Sequence, residues 1–402
     1  YTLMKNIEKK DKIQKQALDK WIKAGKKASC QIVTGLGKTF IGLHALYEMP
    51  RDDLKEHYFL AEVTDRKKDL IDQITLYNKI FKRDVVNDYN LQFACYQTAY
   101  KWKDKNIGLV IADEIHDSLT PSYYKFYLNN NIDAIIGLSA TINIDTEYTI
   151  NNTIVTKGDM LNNIAPICFT YGLEESLKNK TSRKLTINVI FNDLDAVNKT
   201  IKSGPKEKPF FQTEKTAYEY WDKRFKRLYF IDDEVRKKIE FNICVSKRTS
   251  ILYNLDSKIN IVKNILHNLD TKTIIFSNSL DAVFKVTPNV ISSRTSNTHN
   301  ENIKRNFNLD KINVIGSFKK LKQGVNLVGL DNCIIMSYYS KDLDFIQRIG
   351  RLRDNGEIGN IFIIVTKNTQ EEIWFTKIIE NYKNLNIKYF NNSDEWLKNK
   401  KK

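Results

Sequence analysis

The stretch Thr34-Gly35-Leu36-Gly37-Lys38-Thr39-Phe40 follows the apolar run Cys30-Gln31-Ile32-Val33. These are residue types that wrap a phosphate: glycines let backbone N–H groups converge, a lysine reaches the outer phosphates, and a threonine hydroxyl can ligate Mg2+. The full pattern G-x-x-x-x-G-K-[ST] asks for a glycine where this chain has Ile32, so the stretch alone also reads as a glycine turn that carries a lysine. Directly after a second apolar run, "GLVIADEIHD" offers Asp113 for the Mg2+ shell and Glu114 to polarise an attacking water. The plainer reading is an acidic turn after a strand. "GLSATI" puts Ser139 and Thr141 at the end of a third run, where a relay away from the nucleotide would start. Finally, "DFIQRIGRLRDNG" packs Gln347, Arg348, Gly350, Arg351 and Arg353 into one helical stretch. Guanidinium groups suit the charge on a transferring phosphoryl; a basic helix facing solvent or phosphates is the alternative.

Such groups need a rigid frame, and two blocks of the chain alternate short β-rich runs with helical patterns, the mark of parallel α/β layers. The expected fold is α/β, with two parallel-sheet domains in tandem. Residues 1–168 form the first domain and 257–395 the second, leaving 396–402 as a basic, frayed tail. Residues 169–256 read as a linker and accessory insert, strands first and charged aromatic helices after. In that insert Trp221, Phe225, Tyr229 and Phe230 alternate with Lys223, Arg224, Lys226 and Arg227. The pattern fits a stacking and phosphate surface; more often such aromatics are the core face of a helix and the lysines its wet face.

With 402 residues, 42% hydrophobic and 28% charged, the chain has enough apolar material for two cores and is not disordered. A net charge of +16 makes polyanions the expected partner class. The five cysteines and five histidines are dispersed without metal-ligand spacing, so a reduced, intracellular protein is expected and a zinc site is not. No apolar run reaches membrane-spanning length, and the first residues lack a signal-peptide core.

TGLGKT, DEIH, SAT and QRIGR, in that order, resemble motifs I, II, III and VI of the superfamily 2 DExH-type helicases and translocases. That superfamily often lacks the first glycine of the loop, so Ile32 no longer counts against the match. The resemblance implies two RecA-like domains with ATP and Mg2+ in the cleft between them. It makes Lys38, Glu114, Arg351, Gln347, Arg348 and Arg353 the catalytic set, with Thr39 and Asp113 on the metal. Nucleotide contacts are implied for Gln14, through adenine, for Thr34, Gly35, Leu36, Gly37, Lys38, Thr39 and Phe40 of the loop, and for Gly324 and Asn326 of "GSFKKLKQGVNLVGL". Ser139 and Thr141 would couple the sites. Nucleic-acid contacts are implied for Thr64 and Arg66 (motif Ia), Gln97 and Thr98 (Ib), Ser277 and Asn278 (IV) and Ser317 (V). The usual motif VI ends Q-x-x-G-R-x-x-R, which would put its second arginine where this chain has Asp354. One helical residue is a turn of about 100°, so Arg351 is the principal finger and Arg353 the weaker one.

The implied function is ATP-driven movement along, or remodelling of, nucleic acid. The motif spacing most resembles phage recombination helicases and double-strand translocases, which favours DNA over RNA and a bacterial or phage-infected cytoplasm. An ATP-switched binding module that does not unwind, an RNA helicase, and the motor of a restriction or defence complex stay open.

Overall fold

The computed structural model describes residues 2–51, 55–62, 66–142, 144–150, 153–179, 181, 184–205, 207–318, 327–338, 359–380 and 385–400. The chain divides into two compact units, the first ending at Arg183 and the second beginning at Lys184.

The first unit is built on six strands: β1 (Lys27–Ile32), β2 (Glu56–Ala61), β3 (Leu91–Cys95), β4 (Asn106–Asp113), β5 (Asn131–Ser139) and, beyond the small antiparallel hairpin β6 (Glu147–Ile150)/β7 (Thr153–Thr156), β8 (Ile167–Tyr171). Their order is β3-β2-β4-β5-β1-β8 and every pairing is parallel. Strands covered by helices on both faces read as continuous apolar runs. In β4 every residue after Asn106 is buried. Parallel strands put all their C-terminal ends on one edge, where ligands of open α/β sheets bind. Thus Ile32, Asp113, Ser139, Ala61 and Cys95 all deliver the chain to the same rim.

Helix α1 (Thr2–Lys23) lies against this sheet because Ile13, Ala17 and Trp21 recur at helical spacing and are buried. The Trp21 indole N–H donates to the Ile135 carbonyl at 2.8 Å. Helix α2 (Lys38–Tyr47) follows the glycine loop, and α3 (Arg66–Phe81) follows β2.

The second unit carries a seven-stranded, wholly parallel sheet. Its members are β9 (Leu185–Asn192), β12 (Thr273–Ser277), β13 (Val290–Ile291), β14 (Val314–Phe318), β15 (Asn332–Ile335), β16 (Gly359–Thr366) and β17 (Asn386–Phe390), in the order β13-β14-β12-β15-β16-β9-β17. A two-stranded hairpin, β10 (Ile201–Ser203) and β11 (Phe210–Gln212), precedes the helices Glu214–Lys226 and Glu234–Tyr253.

Two expected boundaries change. Two stretches expected in the insert belong to the sheets: Ile167–Tyr171 forms the edge of the first sheet, and Leu185–Asn192 runs inside the second, paired with β16 and β17. The run "LTINVIFN" is almost entirely buried, as an interior strand must be. Nor is 396–402 a frayed tail throughout. Ser393–Lys400 is helical, and Trp396, 6% exposed, packs edge-on against Phe362 at 5.1 Å.

Candidate nucleotide site

The loop leaving β1 is shaped by two glycines in the left-handed region, Gly35 at φ +91° and Gly37 at φ +77°. Side chains rarely adopt that conformation, which turns successive N–H groups inward to make an anion-binding concavity. A Cβ on Gly37 would come 2.6 Å from Gln14 Nε2. Gln14 is itself buried, and its amide donates to the Leu36 carbonyl at 2.8 Å. The residue expected to read adenine thus braces the loop from α1.

Lys38 begins α2 and reaches across to the end of β4, where its ammonium meets Glu114 Oε1 at 2.9 Å. Glu114, also buried, sits at φ 48°, ψ 56°, an uncommon conformation for a residue with a side chain. Burial alone would raise its carboxyl pKa. The Lys38 and His116 charges, with hydrogen bonds from Lys38 and Ser139, outweigh burial and hold it down to about 2. Ser139 Oγ lies 2.8 Å from Glu114 Oε2, 2.7 Å from the Thr141 carbonyl and 2.8 Å from His116 Nδ1. A hydroxyl has one proton, so Ser139 donates either to Glu114 or to Thr141, not both. That choice links the carboxylate to the chain leaving β5.

Asp113, 3% exposed, is engaged by α3: Arg66 Nε and Nη2 donate to its Oδ2 at 2.9 and 2.7 Å. Arg66 Nη1 lies 3.4 Å from Asp69 Oδ2. The side chain given to a nucleic-acid backbone is thus bonded to the one given to the metal. Tyr96 OH donates to the Asp113 carbonyl at 2.9 Å and fixes the strand end.

The donor set fits a magnesium nucleotide. Thr39 and Asp113 would supply the hard oxygens the cation prefers, the glycines keep the loop bare, and among the described residues the buried Thr34 Oγ1 has no hydrogen-bond partner. Among the described residues no group of three or more His, Cys, Asp or Glu side chains could hold a metal by itself. Phe40 packs edge-on against Tyr77 at 5.4 Å and so belongs to the α2–α3 contact. Gln97 and Thr98 are exposed on the short helix after β3, on the same rim.

In the second unit Ser277 and Ser317 are fully buried. Ser277 Oγ donates to the Ser279 carbonyl at 3.0 Å and shapes the turn after β12. Among the described residues Ser317 Oγ is buried without a hydrogen-bond partner. The Asn278 backbone N–H donates to Ser337 Oγ at 2.6 Å. Thr64, Gly324, Asn326, Gln347, Arg348, Arg351 and Arg353 lie outside the described residues. Sequence reasoning gave no role to His116, although the DEIH string contained it, or to Lys157, whose ammonium donates to the His116 carbonyl at 2.7 Å. Nothing local marks Lys157; only the fold of the β7 region brings it there.

Residues 8–144 match the family "Type III restriction enzyme, res subunit", and residues 257–356 match "Helicase conserved C-terminal domain". The chain belongs to the superfamily 2 helicases. Solved structures of similar fold include the ATP-dependent Type ISP restriction-modification enzyme LlaBIII bound to DNA, 13% identical with a TM-score of 0.58. That likeness covers 96% of this chain but 32% of LlaBIII, so the helicase chain spans about a third of that enzyme's length. S. cerevisiae Dbp5 bound to RNA and ADP BeF3 is 11% identical with a TM-score of 0.60, over 97% of this chain and 92% of that one. At these identities the likeness establishes the fold: tandem RecA-like domains. No curated protein sequence matches the chain. As a helicase it is of an ATP-hydrolysing class, and no helix among the described residues is long and apolar enough to cross a membrane.

Proposed function

We propose that this helicase couples Mg2+-dependent ATP hydrolysis to movement along a nucleic-acid backbone, with DNA the favoured track. The observation that carries the proposal is the pairing of Arg66 with Asp113, alongside that of Lys38 with Glu114. Magnesium and ATP, when bound, supply the transferable phosphoryl group and the cation that shields it. Lys38 is then shared with phosphate oxygens and holds Glu114 less firmly. Burial, the largest influence on Glu114, then prevails and raises its basicity toward what a water-activating carboxylate needs. Ser139 reports the change to Thr141 by moving its one proton. Asp113 would hold the cation once Arg66 releases it, and Arg66 would then be available to a backbone phosphate.

The test is steady-state ATP hydrolysis by the intact chain and by Lys38→Ala, without polymer and with single-stranded, duplex or branched DNA or RNA. Stimulation by one polymer, abolished in Lys38→Ala, is expected and names the substrate. No hydrolysis with any polymer would refute the motor. The restriction-subunit match favours a second reading, a translocating motor within a larger DNA-processing assembly. It predicts displacement of a third strand from duplex DNA without separation of the duplex.

A further inference from the structure

The helices Glu214–Lys226 and Glu234–Tyr253 form a hairpin joined through the tight helical turn Arg227–Phe230. Its base is anchored. Ala217, Tyr218, Ile251, Leu252, Tyr253 and Leu255 make a small core, and the buried Glu214 carboxylate accepts the Asp195 and Ser257 backbone N–H groups, each at 3.0 Å. The shaft is cross-braced. Arg224 forks onto Glu240, Arg248 bonds Asp222 at 2.7 Å, and the Arg248 guanidinium stacks 3.9 Å over the Phe225 ring.

The tip is more exposed than the shaft, where the most exposed large apolar side chains, Tyr220, Ile239 and Phe241, are 54%, 56% and 46% exposed. Tyr229 and Phe230 are 81% and 84% exposed, beside Val235 at 72%. The periodicity that made these aromatics candidates for a helix core holds for Trp221 and Phe225, which are half-buried, and fails for the other two. A folded chain gains nothing by presenting two rings to water on a braced arm unless something covers them.

The charges indicate what does. Most of the hairpin's carboxylates are consumed internally. Glu240 is taken by Arg224, Asp222 by Arg248 and Lys226, and Glu234 by Lys237, while Asp233 caps the second helix by accepting from the Arg236 N–H. Glu219 on the first helix and Asp232 near the tip are left, against exposed Lys223, Arg227, Arg236 and Lys238, whose side chains pair with no carboxylate among the described residues. Two exposed rings within a field of unspent cations match a polyanion with stackable faces, not an apolar or basic protein surface.

We infer that the tip of this hairpin binds nucleic acid, with an unpaired base stacked against Tyr229 and Phe230 while Lys223, Arg227, Arg236 and Lys238 hold the flanking phosphates. This rests on the nucleic-acid reading above and adds a site to it. The anchored base preorganises the rings, so little ordering is lost on binding.

The test measures binding without nucleotide, by anisotropy of a labelled oligothymidylate and of its abasic counterpart, with the full chain. The Tyr229→Ala/Phe230→Ala variant is expected to bind oligothymidylate roughly five- to a hundredfold more weakly, with little change on the abasic strand. Arg227→Gln/Lys238→Gln is expected to make the slope of log K against log salt shallower by about 0.7 for each phosphate no longer neutralised. Both variants should keep the polymer-independent ATPase rate of the parent, which checks their folding. Unchanged affinity of the aromatic variant overturns the inference, as does an equal loss on the abasic strand. So would unchanged binding combined with altered self-association in sedimentation, which would mark the tip as an interface between copies of the chain. Failure of ATP hydrolysis in the parent would sink the motor while leaving this site standing.

Discussion

Replacing Lys38 by methionine keeps the apolar stem and removes the charge that holds Glu114. The carboxyl is depressed from 4.5 to about 2 against the opposing pull of burial, which corresponds to about 3 kcal/mol of net favourable interaction with the ionised form. Lys38 is the largest of the influences that lower it. Without it a buried carboxylate loses its main partner, a change that costs about 3–5 kcal/mol where measured. The sign follows from linkage. In the parent, a depressed carboxyl contributes stability that is present above its unfolded value and lost as pH falls through 2. In the variant, burial dominates and the Glu114 pKa rises above the unfolded value, so its penalty is largest at neutral pH and relieved on acidification. Urea unfolding should therefore show Lys38→Met destabilised by about 3–5 kcal/mol at pH 7.5, with the gap narrower near pH 4.5. A gap below about 1 kcal/mol at pH 7.5, or one that does not change with pH, would refute the view that Lys38 sets the charge state of Glu114.

Three further outcomes follow from the same geometry. Arg66→Gln frees Asp113 from its competitor, so magnesium titrations of basal ATPase should half-saturate at a several-fold lower concentration while stimulation by nucleic acid falls; an unchanged magnesium curve would detach Arg66 from the metal. Ser139→Ala removes a hydrogen bond to a charged carboxylate, worth about 1.5–3 kcal/mol, and should slow hydrolysis roughly ten- to a hundredfold while nucleotide affinity, read with a fluorescent analogue, is kept. In the second unit Lys258 and Glu371, 1% and 0% exposed, are bonded at 2.6 Å; Lys258→Met should cost about 3–5 kcal/mol in thermal or urea unfolding, and adding Glu371→Leu should recover most of it.

The parts of the fold legible in the sequence are those written locally. An apolar run ending in Gly-Leu-Gly-Lys-Thr, or in Ala-Asp-Glu, states its own strand, turn and chemistry. Sheet membership is not local. "LTINVIFN" reads as a strand, yet nothing within it says that it pairs with Gly359–Thr366, far along the chain, instead of standing in a linker. Cys30 and Cys168 likewise look isolated in sequence, and the β1–β8 pairing brings their sulfurs to 4.0 Å. The amphipathic character of Ser393–Lys400 is masked by its lysines, since one buried Trp396 anchors a helix that is otherwise mostly wet. Side-chain partners were the least legible. Arg66 sits where a motif comparison gives it to nucleic acid, and only the juxtaposition of the β2 and β4 ends shows that Asp113 is within its reach.

That juxtaposition also explains how the rim can hold two buried carboxylates. Asp113 and Glu114 are adjacent and each is 6% exposed or less, an arrangement in which two uncompensated carboxylates would be poorly solvated and repel each other. Each instead takes its own cation, Asp113 from α3 and Glu114 from α2. With the nucleotide bound, Asp113 would hold the cation and Lys38 would be shared with phosphate oxygens, so charge at the rim would stay compensated. Arg66 and Glu114 would then both be available at the rim, where Gln97 and Thr98 are exposed. Under the proposed function these are the two groups the motor needs next, one to grip a backbone and one to activate water. The ion pairs of the rim thus serve stability and coupling together, and the Arg66→Gln and Lys38→Met variants separate the two.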